Sequence, residues 1–374
     1  MTGLHENWQV LLGLFPDGWE ELGRSTGAVA RLRGFNSLGG LFRTLLLHVG
    51  CGWSLRETAV QARVAGIADV SDVTLLNRLR QAEPWIRELC RKLWQDNGVN
   101  LEPTLKGKPV RLVDATVVKE PGKTGSQWRI HYSMRLPSLE CDYFELTAAE
   151  GEHSGERLGR FPFQAGELVL ADAGYCNPPG IAAVVASRAD VCVRLNRSSL
   201  PLTNHQGRPF PLLKKIRTVR QAGEVAEWYV WTRASAQLIP GRLCAIRKSQ
   251  EAIQQAHRRL HRKELKGKGK VTPEAREYAC YVLVFTTLSR KQATTKQVLE
   301  SYRLRWQIEI TFKRLKRVVQ LGHVPKLDDQ SSRAWLYGKL LVALLSQKLA
   351  LVGSTVSPWG YYLPNEAPDA QPMA

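Results

Sequence analysis

The sequence contains no long hydrophobic run. A membrane-spanning helix needs about 20 apolar residues, and polar residues interrupt even the longest candidate stretch, 336–352. The opening stretch, MTGLHENWQVLLGLF, has no basic region ahead of its apolar part, so we expect no signal peptide. Both absences argue against a membrane protein.

Paired cysteine motifs are also missing. The seven cysteines are scattered, and no two of them are spaced as CxxC. An odd number without such spacing is typical of a reduced, cytosolic protein. His257 and His261 are four residues apart on a predicted helix, but basic residues surround them. We interpret this pair as part of a basic face rather than a metal site.

Acidic residues are scarce relative to basic ones. There are 53 Lys and Arg against 34 Asp and Glu, which gives a net charge of +19 and a pI near 9.8. Such an excess predicts attraction to polyanions, and nucleic acid is the leading candidate.

Residues 1–100 have the pattern of a helical domain. Ser54 with Glu57 matches a capping box, and Ser71 or Asp72 begins a second helix after a short turn. Helix, turn and helix together match a helix-turn-helix, whose second helix would present Thr74, Asn77, Arg78 and Arg80 to DNA. The same outline occurs in ordinary helical bundles, so both interpretations stay open.

From residue 110 the pattern changes to that of an α/β domain. Five strand-like runs are VRLVDATVV, RIHYSMRL, CDYFELTA, ELVLADAGY and ADVCVRLN, and a helix opens at Pro178 and Pro179 between the last two. This order predicts a mixed sheet with its first part in 108–196. A strand from Tyr281 and two long helices complete the predicted catalytic core in 279–352. The tail, 353–374, is predicted to be disordered.

Residues 197–278 interrupt that domain as a basic, β-rich insertion. They contain 18 Lys and Arg against 6 Asp and Glu. Trp228, Tyr229 and Trp231 lie in one of its predicted strands. They have two possible roles, packing the core of a small β unit or stacking on an extruded base. Strand alternation puts Trp228 on the opposite face from the other two.

The stretch Tyr302–Lys316 is predicted to be one helix. Tyr302, Arg305, Glu309, Lys313 and Lys316 have spacings that place residues on one helical face. Leu304, Ile308, Phe312 and Leu315 form a separate apolar stripe that would dock the helix. A solvated, salt-bridged face is the ordinary explanation for the charged side. A carboxylate in a basic face also suits a metal-binding acid that acts on a polyanion.

Two further acids follow apolar strands. Asp114 comes after RLV and Asp172 after LVLA. A carboxylate at the end of a buried strand is costly unless it is neutralised, by a salt bridge or by a cation. With Glu309, these acids would form the set of hard oxygen ligands that Mg²⁺ and Mn²⁺ prefer.

These residues resemble the DDE transposases of bacterial insertion sequences, in the branch with a Y-R-E-K signature (insertion sequence family four). Tyr302, Arg305, Glu309 and Lys316 meet the signature spacing in full, while Asp114 in VDAT and Asp172 in LADAGY match the first two acids. Members often have Arg where Ala173 stands. The resemblance spans about residues 110–345.

The resemblance implies an RNase H-like fold and cut-and-paste transposition. Asp114, Asp172 and Glu309 would be the catalytic residues and would hold two Mg²⁺ ions, with Mn²⁺ as a substitute. Water would cut double-stranded DNA at terminal inverted repeats, and the freed 3′-hydroxyl would attack target DNA. A homodimer would bring two ends together. The expected location is the bacterial cytoplasm, at the nucleoid.

The resemblance also assigns roles to the basic residues of the signature. Arg305, Lys313 and Lys316 would contact phosphates near the cut, and Tyr302 would hydrogen-bond a phosphate or pack on a sugar. Arg305 has an alternative, a bridge to an active-site carboxylate. Two other functions stay open for the chain: a catalytically silent DNA-binding protein, and an RNase H-like nuclease without strand transfer.

Overall fold

The computed structural model describes residues 3–96, 107–119, 127–151, 154–267, 270–322, 324–325 and 328–354. These residues divide into two compact units. One, the helical unit, contains the residues up to 96, residues 118–119 and 127, and those from 313 onward. The other, the sheet unit, contains 107–117 and 128–312.

The helices are α1 (Gly3–Leu12), α2 (Trp19–Ser25), α3 (Leu38–Cys51), α4 (Leu55–Val64), α5 (Asp72–Gln81), α6 (Glu83–Asp96), α7 (Pro178–Ala186), α8 (Leu212–Ile216), α9 (Gln250–Leu265), α10 (Pro273–Ala279), α11 (Thr295–Arg303), α12 (Trp306–Val318) and α13 (Asp329–Ser354). The strands are β1 (Val110–Lys119), β2 (Gln127–Leu136), β3 (Cys141–Ala148), β4 (Leu168–Ala171), β5 (Asp190–Arg194), β6 (Val225–Ala234), β7 (Gln237–Arg247) and β8 (Tyr281–Thr286). None of the described helices is long and apolar enough to cross a membrane.

The helical unit begins with α1–α6. Ser54 and Ser71 are the N-caps of α4 and α5, and each side chain accepts a hydrogen bond from a backbone N–H three residues on. The predicted helix–turn–helix order of these two helices is therefore present. Phe42 packs against both Trp85 and Trp19, at ring-centroid distances of 4.4 Å and 5.6 Å.

The C-terminal helix α13 belongs to this same unit. It packs against α3, α5 and α6, whereas the sequence-based division assigned it to the catalytic core. Its buried residues, which include Leu340, Leu341 and Leu344, indicate a core helix but carry no information on which partner covers them. Helix α13 continues to Ser354, which lies within the segment 353–374 that was predicted to be a disordered tail. The rest of that tail lies outside the described residues.

The sheet unit is built on one eight-stranded mixed sheet. Its strand order is β3-β2-β1-β4-β5-β8-β7-β6. Strands β1, β4 and β5 run parallel, while β8, β7 and β6 continue the sheet in antiparallel pairs. Every strand predicted from the sequence is present. The insertion strands β6 and β7 extend the core sheet beside β8.

The prediction of a single helix over Tyr302–Lys316 was wrong. The chain forms α11 and α12 with a tight turn between them. Hydrogen bonds of the i→i−3 type close the turn, from Arg305 N–H to Tyr302 O (3.2 Å) and from Ile308 N–H to Arg305 O (3.2 Å). Tyr302 therefore lies on α11, Arg305 in the turn and Glu309 on α12, so they do not share one face of a regular helix.

Candidate active site

Asp114 and Asp172 stand side by side in the sheet. Val113 pairs with Ala171 in the parallel register of β1 and β4, so the two aspartates follow equivalent points of adjacent strands. Parallel neighbours are about 4.8 Å apart. The sequence placed both acids after apolar strands, and pairing of those strands brings the acids together.

The environment of Asp114 disfavours its charge. Burial and the neighbouring charge of Asp172 raise the pKa of Asp114 to about 7, against the opposing effects of the Ala115 backbone N–H and Arg305. The backbone N–H of Gly174 donates to Asp172 Oδ1 at 2.8 Å. This bond fixes Asp172 at the start of the single turn that follows β4.

Arg305 connects the first and third acids of the predicted triad. Its guanidinium lies 3.7 Å from Asp114 Oδ2 and 2.5 Å from Glu309 Oε1. The sequence left open whether Arg305 contacts DNA or bridges to a carboxylate, and this structure has the bridge. All three predicted acids therefore lie in one region of the sheet unit.

Tyr302 lies behind Arg305. The guanidinium carbon is 5.8 Å from the centre of the Tyr302 ring, a cation–π distance. The Tyr302 hydroxyl is buried and has no hydrogen-bond partner in the described part of the chain, and burial raises its pKa. The ring therefore supports Arg305.

A fourth carboxylate, which sequence reasoning missed, lies in the same region. Glu156 belongs to the connection between β3 and β4, and Arg129 on β2 holds its Oε1 at 2.9 Å. Burial, followed by the charge of Asp172, raises the pKa of Glu156. Nothing in the sequence marks Glu156, because an acid in a polar connecting segment is ordinary.

The two lysines lie farther along α12, among residues of the helical unit. Lys313 is exposed. Lys316 is partly buried, and burial lowers its pKa. Their predicted phosphate contacts stay predictions.

The predicted DNA contacts on α5 are placed differently from one another. Arg80 forms a two-bond ion pair with Asp328, at 3.2 Å and 2.9 Å, and also donates to Asn77 Oδ1. Arg78 donates to the carbonyl of Arg31 and lines an open cavity of about 560 Å³ together with Asn77 and Arg33. The side chain of Arg80 is therefore engaged in its ion pair with Asp328, whereas Asn77 and Arg78 border an accessible groove.

The tryptophans of β6 lie on opposite faces, as strand alternation predicts. Trp228 packs against the hydrophobic core, 6.2 Å from Phe210 between ring centres. Trp231 pairs edge-on with His205 at 6.0 Å, and its neighbour Tyr229 is 60% exposed. Core packing accounts for Trp228, while Tyr229 and Trp231 face outward.

The donor set suits a hard divalent cation. Asp114, Asp172, Glu309 and Glu156 contribute four carboxylates, and Arg305 and Arg129 are the guanidinium groups paired with them in the described chain. The acids therefore exceed the cations that contact them, and oxygen ligands are those Mg²⁺ prefers. No three of these side chains, nor any other three His, Cys, Asp or Glu in the described chain, already converge on one point.

Comparison with known proteins identifies the class to which this sheet and its acids belong. A family model described as a transposase DDE domain matches residues 149–345. The InsL protein of insertion sequence element IS186A from Escherichia coli K12 is 32% identical over 354 residues, covering 92% of this chain and 94% of that protein.

Two further relatives agree. The transposase of insertion sequence element IS421 from Escherichia coli is 32% identical over 355 residues, covering 92% of this chain and 94% of that protein. The transposase of IS231C from Bacillus thuringiensis subsp. berliner is 21% identical over 380 residues, covering 89% and 77%. The chain belongs to the DDE transposases of insertion sequences. The predicted RNase H-like α/β fold and the transposase function are confirmed.

The matched range includes Asp172 and Glu309 and begins after Asp114. The assignment of Asp114 therefore depends on its position beside Asp172 and on the Arg305 bridge. Members of this family use divalent metal ions.

Proposed function

We propose that Asp114, Asp172 and Glu309 form the catalytic centre of a cut-and-paste DNA transposase that holds two Mg²⁺ ions, with Mn²⁺ as a substitute. The observation that supports it best is that Asp114 and Asp172 each follow the paired residues Val113 and Ala171 of two adjacent parallel strands, with Arg305 joining Asp114 to Glu309. Divalent ions bound there would supply Lewis-acid stabilisation of charge on the phosphate and a more acidic attacking hydroxyl.

The protein side chains would position the DNA strand. Arg305 lies between two of the acids with its Tyr302 support, so it would neutralise phosphate charge close to the cut. Lys316 and then Lys313 would extend the contact along the backbone. Cleavage by water would free a 3′-hydroxyl, and in-line attack by that hydroxyl on a target phosphate would join the ends.

Other parts of the chain would bind DNA more broadly. Asn77 and Arg78 border the open groove of α5, which supports contact with the terminal inverted repeats. Tyr229 and Trp231 are better placed than Trp228 to meet a base.

Pairing of two ends calls for a homodimer, and the expected location is the bacterial cytoplasm, at the nucleoid. Each of these assignments extends the transposase function.

The test uses purified protein, a DNA duplex that carries one transposon end, and Mg²⁺. The parent protein should nick the end and join its 3′-hydroxyl to a target plasmid. Asp114→Asn, Asp172→Asn and Glu309→Gln should each lower cleavage by about 1,000-fold or more, since each removes charge from the centre. Glu145→Gln is the matched control, because Glu145 is also paired with an arginine, Arg160, at 2.8 Å.

Three results would contradict the proposal. Parent-like cutting by the three acid variants would show that the site is assigned wrongly. Cutting without joining would favour a nuclease without strand transfer. Binding of end DNA with no cutting in Mg²⁺ or Mn²⁺ would favour a silent DNA-binding protein.

A further inference from the structure

Gly174 and Glu156 fit together closely. A Cβ at residue 174 would lie 1.6 Å from Glu156 Oε2, so any side chain there would displace the carboxylate. The φ of Gly174 is not positive, and its backbone conformation is therefore open to other residues. A side chain at residue 174 would therefore compete with the Glu156 carboxylate for this volume.

The same point places Glu156 beside a predicted catalytic acid. Asp172 Oδ1 lies 3.1 Å from the ideal Cβ position of Gly174, so oxygens of both carboxylates surround one small volume. Arg129 donates a hydrogen bond to Oε1 of Glu156. The other oxygen, Oε2, lies on the side of Gly174. Two carboxylate oxygens held this close repel each other unless a cation lies between or beside them.

A buried hydroxyl faces the same acids. Tyr175 is 0% exposed, and its hydroxyl has no hydrogen-bond partner in the described structure. Burial and the charges of Asp114, Glu156 and Asp172 all raise its pKa. A buried hydroxyl without a protein partner is costly, and this points to a polar ligand, such as a hydrated cation, beside these acids.

We propose that Glu156 is a fourth acidic member of the metal centre and supplies a coordinating oxygen to the divalent cation held by Asp172. This inference rests on the proposed metal centre. Arg129 then positions the Glu156 carboxylate, and Gly174 leaves space for it because it has no side chain. The ordinary alternative is that Glu156 only balances the charge of Arg129.

The probe is Mn²⁺ alone, added to the full chain without DNA, with free Mn²⁺ measured by its electron paramagnetic resonance signal. Glu156→Gln should weaken binding by at least about 10-fold, the effect of losing a group that supports a metal ligand. Arg129→Gln keeps the carboxylate and removes only the group that positions it, so it should weaken binding clearly less than Glu156→Gln does. Glu145→Gln should match the parent within threefold.

A second variant covers the case in which Glu156→Gln does not fold. Glu156→Asp keeps the charge and withdraws the oxygen by one methylene, so it should bind Mn²⁺ at least threefold more weakly. Parent-like affinity in either Glu156 variant would overturn the inference, and so would equal weakening by Glu156→Gln and Arg129→Gln.

The variant Asp172→Asn distinguishes a failure of the proposed role of Glu156 from a failure of the proposed metal centre. If Asp172→Asn weakens Mn²⁺ binding and Glu156→Gln does not, the metal centre stands and Glu156 is excluded from it. If neither substitution changes the affinity, the proposed centre itself is wrong and the role of Glu156 fails with it.

Discussion

Arg242 on β7 donates a 2.7 Å hydrogen bond to the carbonyl oxygen of Ala293, the residue before the N-cap of α11. The same guanidinium donates to the carbonyls of Leu288 and Ser289 and pairs with Glu227 at 2.6 Å. The insertion hairpin thus fixes the segment that leads into α11 and then to α12, which carries Glu309.

Arg242→Met should destabilise the sheet unit by about 3–5 kcal/mol, because it leaves Glu227 and three carbonyls without their buried partner. Amide hydrogen exchange in α11 should accelerate. Arg290→Met is the control: Arg290 pairs with the same glutamate at 3.4 Å but is 73% exposed, so its loss should cost less than about 1 kcal/mol. Equal effects of the two substitutions would contradict this role of Arg242.

Glu167 is the centre of a buried ion network. It lies 3.0 Å from Arg111 and 2.9 Å from Arg135, and its side chain is 0% exposed. Glu167→Gln should cost about 3–5 kcal/mol, because two guanidinium groups lose a buried counter-charge. Thermal unfolding would measure this. The exposed bidentate pair of Glu277 with Arg217 supplies the control, since water screens this pair and Glu277→Gln should barely shift the unfolding temperature.

His131 should make stability depend on pH. Burial, aided by Arg160, lowers its pKa to about 4, below the value of about 6.5 for an unfolded histidine. The unfolded chain therefore binds the proton first as pH falls, so stability is full above about pH 6.5 and declines toward pH 4. Urea unfolding of the parent should lose about 2 kcal/mol between pH 7 and pH 5 from this group.

His131→Gln keeps a polar partner for Thr147, which lies 3.0 Å from the ring nitrogen, and removes the titrating group. Between pH 7 and pH 5 this variant should lose about 2 kcal/mol less stability than the parent loses. An unchanged pH dependence in this variant would show that other groups are responsible.

The guanidinium of Arg305 lies between Asp114 and Glu309. It would compete with a metal ion for these two carboxylates. Arg305→Met should bind Mn²⁺ at least threefold more tightly in the absence of DNA, because the competing charge is gone. Cleavage of end DNA should fall by about 100-fold or more, because the phosphate contact is lost. Arg303→Met, at the exposed end of α11, should change neither measurement. Weaker metal binding by Arg305→Met would contradict the competition.

Local patterns in the sequence predicted most of the sheet unit. Alternation and turn residues located the strands and the α7 helix, and the acid within β1 and the acid directly after β4 followed from those strands. The break between α11 and α12 was not predictable, because Leu304 and Arg305 have ordinary helix propensities and tertiary packing decides the turn. Glu156 was missed for a related reason, since its role depends on contacts with Arg129 and Gly174 that are distant in sequence.

Packing of α13 against α3, α5 and α6 has a consequence for the order of events during synthesis. The first six helices are synthesised before the sheet unit, whereas their partner α13 is synthesised after it. Val49 of α3 lies against Gly338 of α13, where an added Cβ would approach it to 2.9 Å, so α3 keeps an uncovered apolar surface until α13 has been synthesised. Chains truncated before α13 should therefore expose that surface and aggregate rather than remain as folded fragments.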